Sequence, residues 1–485
     1  MADSLKKRTI TGVGWSAADA FLGQGVTFLV GLVLARILSP SEYGLIGIVT
    51  IFTTVLSGIV DSGFSNALIR KTDTTEEDYS TMFITNLVIS LLLYLFLFSS
   101  APIISSFFGR PELTDITRVT GLILIIQSLS LVQNTILTKR IDFKTKTKAS
   151  VISASVSGVV GITMAVSGYG VWALVGQLIA KQVLYSVLLW MFNKWWPKGG
   201  FNIKSFRYMW GFGWKMMLSG LLNNIWNQLY QVTVGKFYSP ATLGQYSRAN
   251  EYANIFSQNF TTIVQRVTYP ALSEVQDEKE RMVAAYRKVI KITMFVTAVC
   301  MFSMGAVAEP LIYCLIGEKW HQAATFLPFI CVSMSLYPLH AINLNMLQIQ
   351  GRSDLFLILE IIKKVIAVGP ICLGIFVNIY WMLIGSIVSG IISFFLNAYY
   401  SGRELDYSSL RQLKDVAPSF LVSMSVAISV YFVKYLPISN YIVLLVQIAV
   451  GSVVFFTICE VTRIEEYIEL KGICISYLNK ILNKK

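Results

Sequence analysis

Charged side chains are scarce in this chain, 14% of its 485 residues, where an ordinary soluble domain carries about 25%. A water-soluble fold of this size could not hide the apolar surface that such a composition implies. Histidine is scarcer still: His321 and His340 are the only two. A metal or catalytic centre built on histidine is therefore not expected, and neither is a resident cofactor. The six cysteines, Cys300, Cys314, Cys331, Cys372, Cys459 and Cys474, show no paired spacing and sit in or beside apolar stretches. That pattern speaks against a disulfide framework and for packing or lipid-facing residues. The start, MADSLKKRT, leads into a long stretch without a small-residue cleavage site, so no cleavable signal peptide is expected.

What is present is apolar. Hydrophobic residues make up 54% of the chain, in runs such as LVISLLLYLFLF (87–98) and IVLLVQIAVGSVVFFTI (442–458). With their neighbours these reach the ~20 residues needed to cross a bilayer. Backbone in lipid must satisfy itself, so the expected class is an all-α integral membrane protein. The hydropathy pattern parses into about 14 spans, near 11–35, 43–66, 80–101, 116–137, 149–168, 170–192, 209–234, 242–268, 289–313, 323–349, 354–376, 379–399, 414–436 and 440–461. With a cytoplasmic N-terminus, 29 of the 40 Lys and Arg fall in inside segments, five in outside loops and six within spans. This is the positive-inside asymmetry. It predicts both termini in the cytoplasm and explains the net charge of +13 without nucleic acid. Trp195 and Trp196 fall at a span end, where an aromatic belt would place them.

The chain writes one piece of punctuation twice. SPSEYG at 39–44 returns as SPATLG at 239–244, and GVGW at 12–15 returns as GFGW at 211–214. The two intervals, 200 and 199 residues, cover six spans, so the second copy would enter the membrane in the same orientation as the first. Chance is the alternative, since Ser-Pro and Gly are common in turns. A parallel repeat predicts two six-helix lobes, 1–205 and 206–402, two additional spans in 403–461 and an amphipathic tail at 462–485. In each SP-x-x-x-G, proline should follow a helix end and glycine should permit a tight turn into the next helix.

Some spans are too polar for lipid. In the eighth, Arg248, Glu251, Asn254, Gln258, Thr262 and Gln265 recur every three or four positions, which places them on one helical face. A charge at the bilayer centre costs about 2.5–3.5 kcal/mol on insertion scales. The second span carries Thr50, Thr54, Ser57 and Asp61; the seventh carries Lys215, Asn223, Asn224, Asn227 and Gln231; the first carries Ser16 and Asp19, with Gln24 nearby. These faces fit a water-filled cleft between two bundles. They equally fit interhelical glue. Arg248 with Glu251 fits either a site or a self-neutralising ion pair. Lys181, alone in the sixth span, fits the cleft or a pairing with Asp19 or Asp61. Glu360 with Lys363 and Lys364 has the spacing of a structural pair. The tail, with Ile464, Tyr467, Ile468, Cys474, Leu478, Ile481 and Leu482 on one side and lysines opposite, reads as an interfacial helix or as an extension of the last span.

VLARILSPSEYGLIGIV followed by DSGFSNALIRK, then SGYGVWALVGQ, VGKFYSPATLGQYSRANEY, TYPALSEVQ, LIGEKWHQAA and LQIQGRSDL, resemble in order the landmarks of bacterial polysaccharide exporters of the Wzx type. These belong to the multidrug/oligosaccharidyl-lipid/polysaccharide (MOP) superfamily, which also holds drug exporters, and the fold implied is MOP/MATE-like. The likeness covers about residues 10–360. It implies two six-helix lobes, two extra helices, alternating access, and a polyprenyl-diphosphate-linked oligosaccharide as substrate. It also implies the bacterial inner membrane, a polysaccharide polymerase machinery as a further partner, and coupling to H+ or Na+. One departure stands out. Relatives commonly place an acid shortly before the end of the seventh span, and here the segment is NQLYQVTVGK.

For such a substrate, Arg248, Lys181 and Lys215 are the diphosphate candidates, with Glu251, Asp19 and Asp61 as neighbouring acids. Asn224, Asn227, Asn254, Gln258 and Tyr252 are the sugar-binding candidates. Two rivals are a drug or cation exporter of the same superfamily and a membrane glycan polymerase. The first would want a more acidic and apolar cleft. The second would want a sizeable outer loop, and here none exceeds about 14 residues.

Overall fold

Helices fill nearly all of the computed structural model, which describes residues 22–61, 63–275, 277–403 and 405–482, and no strand occurs among them. The chain divides into two compact units, Met1–Gly244 and Gln245–Lys485. The first holds α1 (Leu22–Ile37), α2 (Pro40–Asp61), α3 (Phe64–Arg70), α4 (Glu76–Phe108), α5 (Leu113–Thr120), α6 (Leu122–Lys139), α7 (Phe143–Val166), α8 (Val171–Asn193), α9 (Ile203–Phe237) and the start of α10 (Pro240–Asn254). The second continues through a π-helical turn, Ile255–Asn259, into α11 (Phe260–Glu274), α12 (Lys279–Ala306), α13 (Ala308–Ile316), α14 (His321–Ser335), α15 (Tyr337–Ile349), α16 (Ser353–Phe376), α17 (Ile379–Gly402), α18 (Ser409–Phe432), α19 (Asn440–Thr462) and α20 (Glu465–Leu482).

Ten helices among the described residues are long and apolar enough to cross a membrane. Length and composition therefore do not establish the fourteen-span parse. The parsed spans they leave out are 11–35, which lies partly outside the described residues, and those built on α9, α10–α11 and α16, which carry the polar and charged side chains.

The chain starts its helices with side-chain oxygen. Thr75 and Asp78 form a reciprocal capping box at α4, Asp142 accepts from the Thr145 amide at α7, and Asn202 accepts from Lys204 at α9. Ser39 and Glu42 do the same at α2, where the Ser39 amide and hydroxyl both donate to the Glu42 carboxylate at 2.6 and 2.8 Å. In the second copy of the motif, the Thr242 amide donates to Ser239 Oγ at 3.1 Å. Pro40 and Pro240 are thus the first residues of α2 and α10, where a missing N–H is harmless.

The motif glycines do not make a turn, contrary to expectation. Gly44 and Gly244 lie inside α2 and α10, and neither has a positive φ. They are glycine because the two copies cross. A Cβ on Gly44 would stand 1.7 Å from the carbonyl oxygen of Pro240, and one on Gly244 would stand 2.0 Å from that of Pro40. The crossing opens a long antiparallel contact of α2 with α9. Ile48 packs against Gly235, Gly58 against the Asn224 amide, and Gly63, at φ +67°, against the Gly213 carbonyl.

Elsewhere in this unit α7 and α8 form a tight hairpin. Its turn uses Gly168 and Gly170 at φ +83° and +56°. Gly161 receives Gln177, and Gly176 receives Met164. Trp195 is buried, with its indole N–H on Glu76 at 2.8 Å, whereas Trp196 is exposed. In the second unit, Tyr286, Met294, Leu339, Met346, Phe394, Tyr407 and Val416 share one core. Asn343 is its polar hub: it accepts from Tyr286 Oη at 2.7 Å and donates to Gln412 at 3.1 Å. The α20 helix does not lie free. Lys288 pairs with Glu469, and Lys291 with Glu465 and Glu466, while Tyr467 is packed in and Ile468 stays exposed. The side chains of Cys474, Leu478, Ile481 and Leu482 lie outside the described residues.

Candidate functional site

In the second unit the polar stripe starts on α10 and is re-aimed by the π turn. An α-helix turns 3.6 residues per revolution, and a π segment holds an extra residue per turn. The face that packs here is Gln245, Ala249, Ala253, Ser257 and Thr261, one residue in four. An uninterrupted α-helix would rotate such a series out of contact within three turns. The π turn keeps it buried, and Ser257, at its centre, donates to the Met334 carbonyl of α14 at 2.6 Å. Gln245 clamps the turn between α13 and α14 from both sides, donating to the Lys319 carbonyl at 2.7 Å and accepting from the Ala323 amide at 2.9 Å.

The predicted stripe lies off that face. Arg248 and Glu251 form an ion pair at 2.7 Å, their side chains 14% and 44% exposed. Thr262 is exposed and bonds to the Gln258 carbonyl of its own helix. Gln258 is half-buried within the π turn. Asn254 is half-buried too, and its Oδ1 is shut off from solvent with no hydrogen-bond partner among the described residues. Tyr252 is fully packed, which points it away from a sugar-binding role.

In the first unit the candidates spread over α2, α8 and α9. Asp61 ends α2 and accepts from Ser65 Oγ at 2.6 Å. Asn224 faces Gly58 across the α2–α9 contact, while Asn227 and Lys215 are exposed on α9. Lys181 reaches α1, where its Nζ donates to Thr27 Oγ1 at 3.1 Å. Asp19 and Ser16 lie outside the described residues. The structure thus joins Arg248 with Glu251, places Asn254 and Gln258 on the turns that follow, and sets Asn224 beside the helix that carries Asp61. Lys181, on α8, bonds to Thr27 of α1, and the pairing expected with Asp19 lies outside the described residues.

Glu360 and Lys363 pair within α16, as their spacing predicted. Among the described residues no cluster of three His, Cys, Asp or Glu could hold a metal ion. Cys300, Cys331, Cys372 and Cys459 are free thiols. Sequence reasoning missed Ser257, Thr261 and Gln245. The available signal was the small-residue series Ala249, Ala253, Ser257, Thr261, whose step of four marks a tight packing face.

Comparison with known proteins adds three findings. Residues 33–325 match the family described as "Polysaccharide biosynthesis protein". Among curated relatives, the chain is 27% identical to the succinoglycan biosynthesis transport protein ExoT of Rhizobium meliloti (strain 1021), covering 77% of this chain and 76% of that one. It is 24% identical to the teichuronic acid biosynthesis protein TuaB of Bacillus subtilis (strain 168), covering 73% of each, and 21% identical to the lipopolysaccharide biosynthesis protein WzxC of Escherichia coli (strain K12), covering 81% of each. Among solved structures, the lipid II flippase MurJ in an inward closed conformation shares the fold at TM-score 0.71 and 16% identity, covering 93% of this chain and 98% of that one. An inward-facing MATE family multidrug resistance transporter of the MOP superfamily shares it at TM-score 0.59 and 17% identity, covering 80% and 98%.

Proposed function

The chain belongs to the polysaccharide biosynthesis protein family, and from that premise we propose that it is a flippase. It carries a polyprenyl-diphosphate-linked oligosaccharide from the cytoplasmic to the outer leaflet of the bacterial inner membrane, by alternating access. It makes and breaks no covalent bond, so it is a transporter and not an enzyme. The observation that carries this reading is a membrane-length helix, α10 through α11, with an ion pair and a run of amides off its packed face. A fold shared with a lipid II flippase and relatives named for succinoglycan transport and lipopolysaccharide biosynthesis support it. Lipid would not tolerate that stripe, whereas a hydrated path for a glycan would.

The residues proposed to meet the substrate are Arg248 and Lys215 for the diphosphate, with Glu251 and Asp61 beside them and Asn224, Asn227, Asn254 and Gln258 for sugar hydroxyls. Lys181 and Asp19 complete the set. A proton or sodium gradient drives the cycle, both termini are cytoplasmic, and a polysaccharide polymerase takes the product on the outer side.

The test is the sidedness of the lipid-linked repeat unit in a deletion strain, read with a glycosidase that cannot cross the membrane. The unit should accumulate, protected, in the cytoplasmic leaflet while surface polysaccharide disappears. Glycan accessible from outside would point to a polymerase. Unchanged surface polysaccharide with lowered resistance to cationic dyes would point to a drug exporter.

A further inference from the structure

We propose that the first unit carries a binding site for the phosphate of a membrane lipid, between the end of α3 and the second and third turns of α9. A cavity of about 380 Å³ opens there, lined by Arg70, Lys71, Thr72, Asp73, Tyr208 and Phe212. Its lining includes none of the residues placed in the transport path above. It does not rest on the flippase reading, since a chain that moved no glycan would bind through it equally.

The site is built. Lys139 donates to the carbonyls of Leu68 and Lys71 and to the Thr74 hydroxyl, which fixes the strand of chain that leaves α3. Lys71 is committed on one side to Asp78 at 2.6 Å, and its ammonium lies 5.4 Å from the centre of the Tyr208 ring. Arg70 is different. It is exposed, its guanidinium stands 5.3 Å from the centre of the Phe212 ring, and no carboxylate pairs with it among the described residues. An arginine over an aromatic ring, with no carboxylate on it, has guanidinium donors to offer, and that fork matches two phosphate oxygens at once.

The surroundings select a lipid over a soluble anion. Phe206 stacks on Trp210 at 5.9 Å, and Tyr208, Trp210 and Trp214 are exposed along the same helix. Such aromatics mark the headgroup level of a bilayer, and positive-inside charge puts this end on the cytoplasmic, anionic leaflet. Leu218 and Leu222 continue the exposed apolar side of α9 beyond them, where acyl or prenyl chains would lie. Asp73 opposes the anion from the rim of the cavity. It supplies a control of opposite sign.

Native mass spectrometry of the full-length protein tests this, with three added lipids: phosphatidylglycerol, undecaprenyl phosphate and phosphate-free dioleoylglycerol. The wild type should retain the two phosphate lipids and shed the third. Arg70→Gln should lower retention about fivefold, the worth of one interfacial cation, and Asp73→Asn should raise it by about the same factor. Both side chains are exposed, so folding is not at stake, and a thermal melt of each variant checks that. Equal retention of both phosphate lipids supports the site with ordinary membrane lipid as its ligand. Preference for undecaprenyl phosphate supports it with the carrier lipid as its ligand. Retention unmoved by both variants, or dioleoylglycerol held as well as the others, would overturn it.

Discussion

Substituting Gly44 by alanine adds one methyl group at a place where no side chain can yield. The methyl carbon would fall 1.7 Å from the Pro240 carbonyl oxygen, and the reciprocal substitution at Gly244 would fall 2.0 Å from that of Pro40. Comfortable carbon–oxygen contact lies near 3.5 Å, so α2 and the start of α10 must part by about 1.5 Å or more. Overpacking of a tight core costs about 1–3 kcal/mol when neighbouring side chains can shift. Here both obstacles are backbone, which puts each single variant at the upper end, about 3 kcal/mol, or somewhat more than a hundredfold in the folding equilibrium.

The two costs should not add. Once Gly44→Ala has opened the crossing, the gap for Gly244→Ala is already there, so the double variant should lose about as much as the worse single one. Gly220→Ala is the control. It sits on α9 with nothing within 4 Å of its would-be Cβ, and should be neutral or stabilising by up to about 1 kcal/mol through helix propensity. Unfolding by SDS titration in mixed micelles, with thermal melts alongside, reads all four proteins. Gly44→Ala matching Gly220→Ala would refute the crossing. Additive losses in the double variant would show two separate contacts where one is claimed.

Three further outcomes follow from the geometry. Cysteines at 248, 251 and 258 should react with a small polar maleimide while those at 249, 253 and 257 should not; and a charge swap, Arg248→Glu with Glu251→Arg, that restores transport would favour a simple ion pair over a diphosphate contact. Ser257→Ala removes the bond to the Met334 carbonyl and should cost about 0.6–1.5 kcal/mol, while deleting one residue from 255–259 should abolish transport by turning the stripe; transport at normal rate in the deletion would sink the role given to the π turn. The Lys291 ammonium beside Glu465 holds that carboxyl below its usual range, so docking of α20 through this pair should be complete at neutral pH and lost as pH falls through the lowered value. Protease sensitivity of α20 against pH, compared with Glu465→Gln, checks it: a release midpoint near neutrality, or one that Glu465→Gln does not move, would count against the latch.

The repeated SP-x-x-x-G was legible because capping serine, first-turn proline and glycine each have a narrow physical use. Its purpose was not legible: a glycine needed for a turn and a glycine needed for a backbone crossing read alike until the partner is in place. The all-α membrane class followed from composition alone. The polar stripe was legible by period, and its ion pair by spacing. The π turn left no mark in IFSQN, because the residue that stabilises it does so through a carbonyl 77 positions away. Lys181 illustrates the same limit. One of its bonds goes to Thr27, 154 residues distant, a neutral side chain that charge pairing does not nominate.

The stripe on α10 and α11 allows the two readings of its polar residues to be separated. Interhelical glue must lie on the packed face and must bond to another helix or loop. Gln245 and Ser257 meet both conditions, with bonds to Lys319, Ala323 and Met334. Glu251 meets neither: it pairs with Arg248 of its own helix, and its side chain is 44% exposed. Thr262 likewise bonds only backward along its own chain. A charged pair placed off the packing face would have to face lipid or water. Pairing reduces the cost of lipid but leaves the remaining acceptors of an exposed carboxylate unsatisfied. Water, or a hydroxyl-rich substrate that replaces it, satisfies them. The same reasoning assigns Glu360 and Lys363 the other way, since the acid there is 27% exposed against 44% for Glu251. The residues to mutate for transport are therefore Arg248, Glu251 and Gln258, and those to mutate for assembly are Gln245 and Ser257.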